Sequence, residues 1–143
     1  MSVTTRTVRT TPEKVWEILS DGWLYPLWVV GATRMREVDE GWPAVGTRLH
    51  HSAGAWPLVL DDTTEVLDVE PGVLLRLKAR GWPAGEAEVV LTLVAQGEDT
   101  LVEIREDATS GPGRLVPAVV RHPLIGWRNV EALSRLAALA EGR

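Results

Sequence analysis

Between about residue 32 and about residue 108 the chain is a succession of short β-rich runs, "ATRMREV", "TRLHH", "WPLVLDDTTEVLDV", "VLLRLKA", "EAEVVLTLVA" and "LVEIREDA". They are separated by Asp39-Glu40-Gly41, Ser52-Ala53-Gly54, Glu70-Pro71-Gly72, Pro83-Ala84-Gly85 and Gly97-Glu98-Asp99, residue types that turn the chain. Connections this short join sequential strands side by side, which predicts an antiparallel meander. Val73, Leu75, Leu77 and Ala79 alternate with Arg76, Lys78 and Arg80, and Ala87, Val89, Leu91 and Leu93 alternate with Glu88 and Thr92. One face of the sheet is therefore buried and the other wet. The "GWPA" at 41–44 and again at 81–84 has unmatched flanks and reads as shared turn chemistry, not a repeat.

A sheet with one apolar face needs a cover, and helical periodicity flanks the β-rich region on both sides. "TTPEKVWEILSDGW" predicts a short helix with Thr11 as N-cap, Pro12 at its first position and Glu13 in the first turn, where the helix dipole favours a negative charge. Val15, Ile18 and Leu19 form its apolar face, Asp21-Gly22 ends it, and "WLYPLWVV" predicts a second short helix near Pro26. After Gly111-Pro112-Gly113, residues 114–121 predict a first segment. Pro123 then opens a final helix from about Leu124 to Ala140, with Trp127, Val130, Leu133, Ala137 and Ala140 as its inward stripe and Leu136 and Leu139 widening it.

The 143 residues are about one domain long, and one domain over 1–143 is expected. With no cysteine there is no disulfide framework, thiolate metal site or cysteine nucleophile. The start "MSVTTRTVRTTPEK" lacks the apolar stretch of a signal peptide and no window approaches a membrane span, so a soluble cytoplasmic protein is expected. The net charge of −5 and the dispersed arginines exclude a nucleic-acid footprint. Arg114, Arg121, Arg128 and Arg135 recur every seven residues and read as the solvated side of the last helices. Seven tryptophans, one tyrosine and no phenylalanine supply large rigid side chains for a core or a cavity wall.

"TTPEKVWEILSD", Gly46-Thr47 before a strand, "EVLDVEPG" at 65–72 and "RNVEALSRLAALAE" near the end together resemble the START-like helix-grip superfamily. That group includes polyketide cyclases/dehydrases, lipid-transfer domains and the birch pollen allergen. The resemblance spans nearly the whole chain and rests on core and capping features. It implies an α+β fold: a curved antiparallel sheet gripping a long C-terminal helix, two short helices after the first strand, and a cavity that takes apolar molecules.

The chemical candidates are few. His50 and His51 are adjacent in a predicted strand, so their side chains leave by opposite faces and cannot chelate one metal together. Parity with Val45, Thr47 and Leu49 turns His51 inward and His50 outward. The competing reading has both at the solvent end of a hairpin. Glu106 shares parity with Val102 and Ile104, and is either a strand end reaching solvent or a functional acid. "DDTTE" from Asp61 reads as a solvated stretch of strand. Tyr25, Trp28, Trp56, Trp82 and Trp127 belong to the cavity wall or to the core. No phosphate loop, nucleophile elbow or Ser/His/Asp arrangement occurs.

The cavity implied by the resemblance is expected to use Tyr25, Trp28, His51, Trp56, Leu58, Leu77, Leu91, Glu106, Trp127 and Val130, with no metal and no cofactor. The first function to follow is a binding protein, monomer or homodimer, for a lipid, polyketide or other secondary metabolite. The second is a cyclase/dehydrase-like enzyme moving protons with His51, Tyr25, Glu106 or Arg121, the histidine titrating near its ordinary value of about 6.5. The third is an interaction module using the outer face of the sheet.

Overall fold

Tight turns set the topology. Gly72 and Gly97, at φ 78° and 64°, hold left-handed backbone that side chains disfavour, and each reverses the chain between sequential strands. In this computed structural model, which describes residues 2–30, 32–53, 60–81 and 85–142, the strands are β1 (Ser2–Val8), β2 (Ala32–Val38), β3 (Arg48–Ala53), β4 (Leu60–Glu70), β5 (Leu74–Gly81), β6 (Gly85–Gln96) and β7 (Asp99–Ser110). They form one antiparallel sheet in the order β1-β7-β6-β5-β4-β3-β2. The meander from β2 to β7 is the predicted one, and β1 closes against β7 with Ser2 opposite Glu106 and Val8 opposite Thr100. Register shifts that leave an extra residue on β2, β4 and β7 mark irregularities of the bulge type, which bend strands.

Helix α1 (Pro12–Leu19) starts as its sequence dictates: the Thr11 side chain accepts from the Lys14 N–H, Pro12 opens the first turn, and Val15, Ile18 and Leu19 are buried. A 3-10 turn at Gly22–Leu24 leads into α2 (Tyr25–Trp28), which buries Tyr25 and Trp28. Gly22 packs tightly against side chains of the sheet. A Cβ there would stand 2.5 Å from Leu49 Cδ2 and 2.9 Å from Val38 Cγ1. Gly22→Ala is therefore expected to destabilise the fold by about 1–3 kcal/mol through overpacking. Chemical denaturation measures it, and an unchanged midpoint would show that Leu49 and Val38 yield freely.

The long helix α3 (Ala118–Glu141) corrects three expectations. Pro123 lies inside it instead of opening it. The carbonyl four residues earlier, that of Val119, loses its helical partner, a loss tolerable in this solvent-exposed first part of the helix. Segment 114–121 is divided between a 3-10 turn, Pro112–Leu115, and the start of α3. Most importantly, Trp127 is 80% and Val130 56% exposed, while Asn129, Ala132, Leu133, Leu136, Ala137 and Ala140 face inward. The helical period gives the reason. Trp127 is six residues before Leu133, about 120° away around the axis, so a stripe built on repeated steps of three drifts off the buried face.

The core joins the inward residues of α1 and α3 to Leu75, Leu77, Leu91, Leu93, Val102 and Ile104 of the sheet. Val73 precedes β5 and is exposed, unlike the inward position its parity suggested, and Val45 is exposed in the turn before β3. The opposite face of the sheet carries ion pairs such as Arg76–Glu88 and Lys78–Glu86. Among the described residues no helix is long and apolar enough to cross a membrane.

Candidate functional site

The inward faces of β5, β6 and β7 diverge from α2 and the first half of α3, leaving a cavity of about 440 Å³. Its wall includes Trp28, Leu77, Val89, Ile104, Ile125 and Ala132, and is mainly apolar. Tyr25, His51, Thr64, Glu106, Arg121, Arg128 and Asn129 contribute the polar groups.

Strand parity separates the two histidines. His51 is 4% exposed and lines the cavity. His50 turns to the other side, where its Nε2 stands 2.8 Å from Asp39 Oδ1. The hydrogen bond from His50 leads the interactions that hold the Asp39 carboxyl below the usual carboxylate range. On the cavity side, His51 Nε2 meets Thr64 Oγ1 at 2.9 Å, and the same hydroxyl meets the Tyr25 hydroxyl at 3.1 Å. The Tyr25 ring stacks on His51, centroids 5.3 Å apart, and presents its edge geometry to Trp28 at 5.5 Å. Thr64, fully buried, corrects the reading of "DDTTE" as solvated throughout. Its neighbours Thr63 and Glu65 keep partial exposure because alternate residues of β4 take opposite faces.

Burial dominates the titration of this trio. Loss of water pushes Tyr25 up to about 12, with the nearby Glu106 adding to the rise against its bond to Thr64 and the charge of Arg128. It pushes His51 down to about 4, helped by the positive charges of Arg36 and His50. His51 therefore does not titrate near 6.5, the value expected of an unperturbed imidazole.

Two acids on β7 organise α3. Glu106 is buried and paired with Arg128. Asp107 accepts from Arg121 Nε at 2.7 Å and Nη2 at 3.4 Å, and His122 Nε2 lies 3.3 Å from its Oδ2. Burial opposes ionisation of Asp107, but the bonds from Arg121 and His122 outweigh it and hold its carboxyl below the usual range. Arg121 also donates to the carbonyls of Arg114 and Val116, tying down the segment that leads into α3. The reading of Arg121 and Arg128 as purely solvated is thus corrected: Asp107 draws the head of the first and Glu106 that of the second.

Of the residues singled out from sequence, Tyr25, Trp28, His51, Leu77 and Glu106 come together on the cavity wall. Leu91 sits fully enclosed in the core instead. Trp127 and Val130 are on the outer side of α3, and Trp56, Leu58 and Trp82 lie outside the described residues. Sequence reasoning passed over Thr64, Asn129, Arg128 and Asp107. Parity with Val66 in β4 could have found Thr64; Asn129 could have been found four residues before Leu133 on the helix.

The family model described as polyketide cyclase / dehydrase and lipid transport matches residues 2–141. The chain belongs to that family. Membership supports a role in binding hydrophobic ligands. Solved structures agree on the helix-grip fold. Protein MLL2253 from Mesorhizobium loti is 23% identical, with a TM-score of 0.70 over 97% of this chain and 95% of that one. Ara h 8.0201 is 14% identical at TM-score 0.74, over 99% of this chain and 97% of its own. The di-domain ARO/CYC StfQ from the steffimycin biosynthetic pathway is also 14% identical at TM-score 0.74, this chain covering 50% of it. None of the curated proteins matches. Within the polyketide cyclase/dehydrase and lipid transport family, these likenesses establish the shape, and the side chains on the wall must carry any finer argument.

Proposed function

We propose that the chain binds an apolar or aromatic small molecule, a lipid, polyketide or other secondary metabolite, enclosed between the sheet and α3. The cavity carries the reading: about 440 Å³ of mainly apolar wall is within the ~300–1,000 Å³ range of small-molecule sites. Binding is favoured over acid–base catalysis because a general acid or base works best with a pKa near the operating pH. Tyr25 and His51 are displaced from neutrality in opposite directions, to about 12 and about 4. The outer sheet face carries ion pairs such as Arg76–Glu88 and Lys78–Glu86, as a solvated face does, which favours the cavity over the interaction-module reading.

Titration with the neutral fluorophore Nile red tests the proposal. Saturable binding at one dye per chain is expected, and Ala108→Trp, which fills the cavity from β7, should weaken it by roughly tenfold, the effect of ~1.4 kcal/mol. Affinity should stay level between about pH 5.5 and 7.5, because a histidine already neutral there has no charge to lose. Failure to saturate, or an Ala108→Trp variant that folds and binds as well as the parent, would count against the cavity as the ligand site.

A further inference from the structure

We infer that the Tyr25, Thr64 and His51 hydrogen bonds run in one direction, from His51 to Thr64 to Tyr25, and leave the Tyr25 hydroxyl as a donor for an oxygen atom of a neutral ligand. This rests on the cavity being a ligand site and names the class of ligand it selects.

The direction follows from counting protons. Thr64 has one hydroxyl proton and two partners, Tyr25 Oη at 3.1 Å and His51 Nε2 at 2.9 Å. It can donate to only one of them, and it accepts from the other, because accepting from both would leave its own proton, on a fully buried residue, without an acceptor among the described residues. If Thr64 donated to His51, the imidazole proton would sit on Nδ1, which is buried without a hydrogen-bond partner. A buried N–H with no acceptor is among the rarest arrangements in folded proteins. In the opposite direction Nε2–H donates to Thr64, Thr64 donates to Tyr25, and Nδ1 keeps only a lone pair, which is less costly to leave bare. Every proton in the chain then has an acceptor except that of Tyr25. The depression of His51 to about 4 keeps the ring neutral, as this arrangement requires.

A second group has the same need. Asn129 lines the cavity from α3, is 3% exposed, and its Nδ2 has no hydrogen-bond partner. The site thus offers donors on two walls that no described residue satisfies. Charge narrows the class further. The arginines among the described lining residues are already paired, Arg121 with Asp107, Arg128 with Glu106 and Arg80 with Glu86. A ligand carboxylate would meet the acids of those pairs with no spare cation, whereas a ketone or quinone oxygen needs only the donors. The class is therefore a neutral apolar or aromatic molecule bearing a carbonyl-type oxygen.

Three naphthalene probes separate the possibilities: the neutral naphthyl ketone prodan, ethylnaphthalene and naphthoate. Tyr25→Phe, which keeps the stacked ring, should weaken prodan binding roughly fivefold to tenfold, the loss expected for one hydrogen bond, and leave ethylnaphthalene within about twofold. Naphthoate should bind more weakly than prodan to the parent protein. A long-range proton–nitrogen correlation spectrum at neutral pH should show the His51 proton on Nε2. A proton on Nδ1, equal losses for prodan and ethylnaphthalene, an unchanged prodan affinity in Tyr25→Phe, or tighter binding of naphthoate than of prodan would each overturn the inference while leaving the cavity reading standing. If no probe binds the parent protein, the cavity reading falls and this inference falls with it.

Discussion

Replacing Leu133 with aspartate is expected to cost about 4–5 kcal/mol, since truncating a core leucine alone costs ~2–5 kcal/mol and a buried carboxylate adds its own desolvation. Leu133 is 1% exposed and packs among Leu136, Ala137 and Ala140 of α3 and the sheet residues of the core. Against a typical domain stability of ~5–15 kcal/mol, the variant should be close to unfolding, with a melting temperature lower by roughly 12 °C or more. Trp127→Ser supplies the contrast. The residue is larger than Leu133, yet it stands on the outer side of the same helix, and its loss should change stability by only ~0.5 kcal/mol. Thermal unfolding of the two variants decides which face of α3 covers the sheet. Similar effects from both, or a larger one from Trp127→Ser, would reverse the assignment.

The second large effect belongs to Asp107. Its partner Arg121 has a side chain only 11% exposed, so Asp107→Asn leaves a nearly enclosed guanidinium without its counter-charge. The expected cost at neutral pH is about 2 kcal/mol, less than the ~3–5 kcal/mol of a fully enclosed pair because amide and backbone carbonyls still accept. The sign of the pH dependence follows from the lowered carboxyl. The group binds its proton less readily folded than unfolded, so its contribution is complete above the ordinary aspartate value of ~3.9 and is lost as pH falls through the folded value. The parent protein should therefore weaken below about pH 4, and Asp107→Asn should flatten that decline. Because Arg121 also holds the carbonyls of Arg114 and Val116, and Val116 lines the cavity, the variant should bind Nile red less tightly as well. An acid limb unchanged by the substitution would assign it to other carboxylates. By comparison, the exposed pair of Arg105 with Glu103 should contribute less than ~1 kcal/mol.

Much of the architecture was legible from local chemistry. The turns at Glu40-Gly41, Pro71-Gly72 and Gly97-Glu98, the Thr11 cap with Pro12 behind it, and the alternation that buries Leu75, Leu77 and Leu91 are properties of a few adjacent residues, and β2 emerged with its predicted bounds, whereas Ser52 and Ala53, expected in a turn, extend β3. The parity argument that sends His50 and His51 to opposite sides needs only the period of a strand, and it survives because β3 pairs without interruption to β4. β1 was different. "SVTTRTV" alternates poorly, and what makes it a strand is the row of partners on β7, a hundred residues away in the chain.

What only the tertiary structure decided was direction and partnership. Several rotations of α3 put apolar residues inward, and the one adopted buries the polar Asn129 while exposing Trp127. That choice sums contacts with α1, α2, β1 and β7, which no periodicity within the helix contains. In the same way, nothing near Glu106 or Asp107 in sequence announces Arg128 or Arg121, since each pair forms only when β7 and α3 are laid together. Local propensity and period depend on neighbours along the chain and so were readable from sequence. Burial, the charge of His51 and the alignment of Tyr25, Thr64 and His51 depend on atoms brought close by folding, where losing water changes which protons are held and which bonds are worth making.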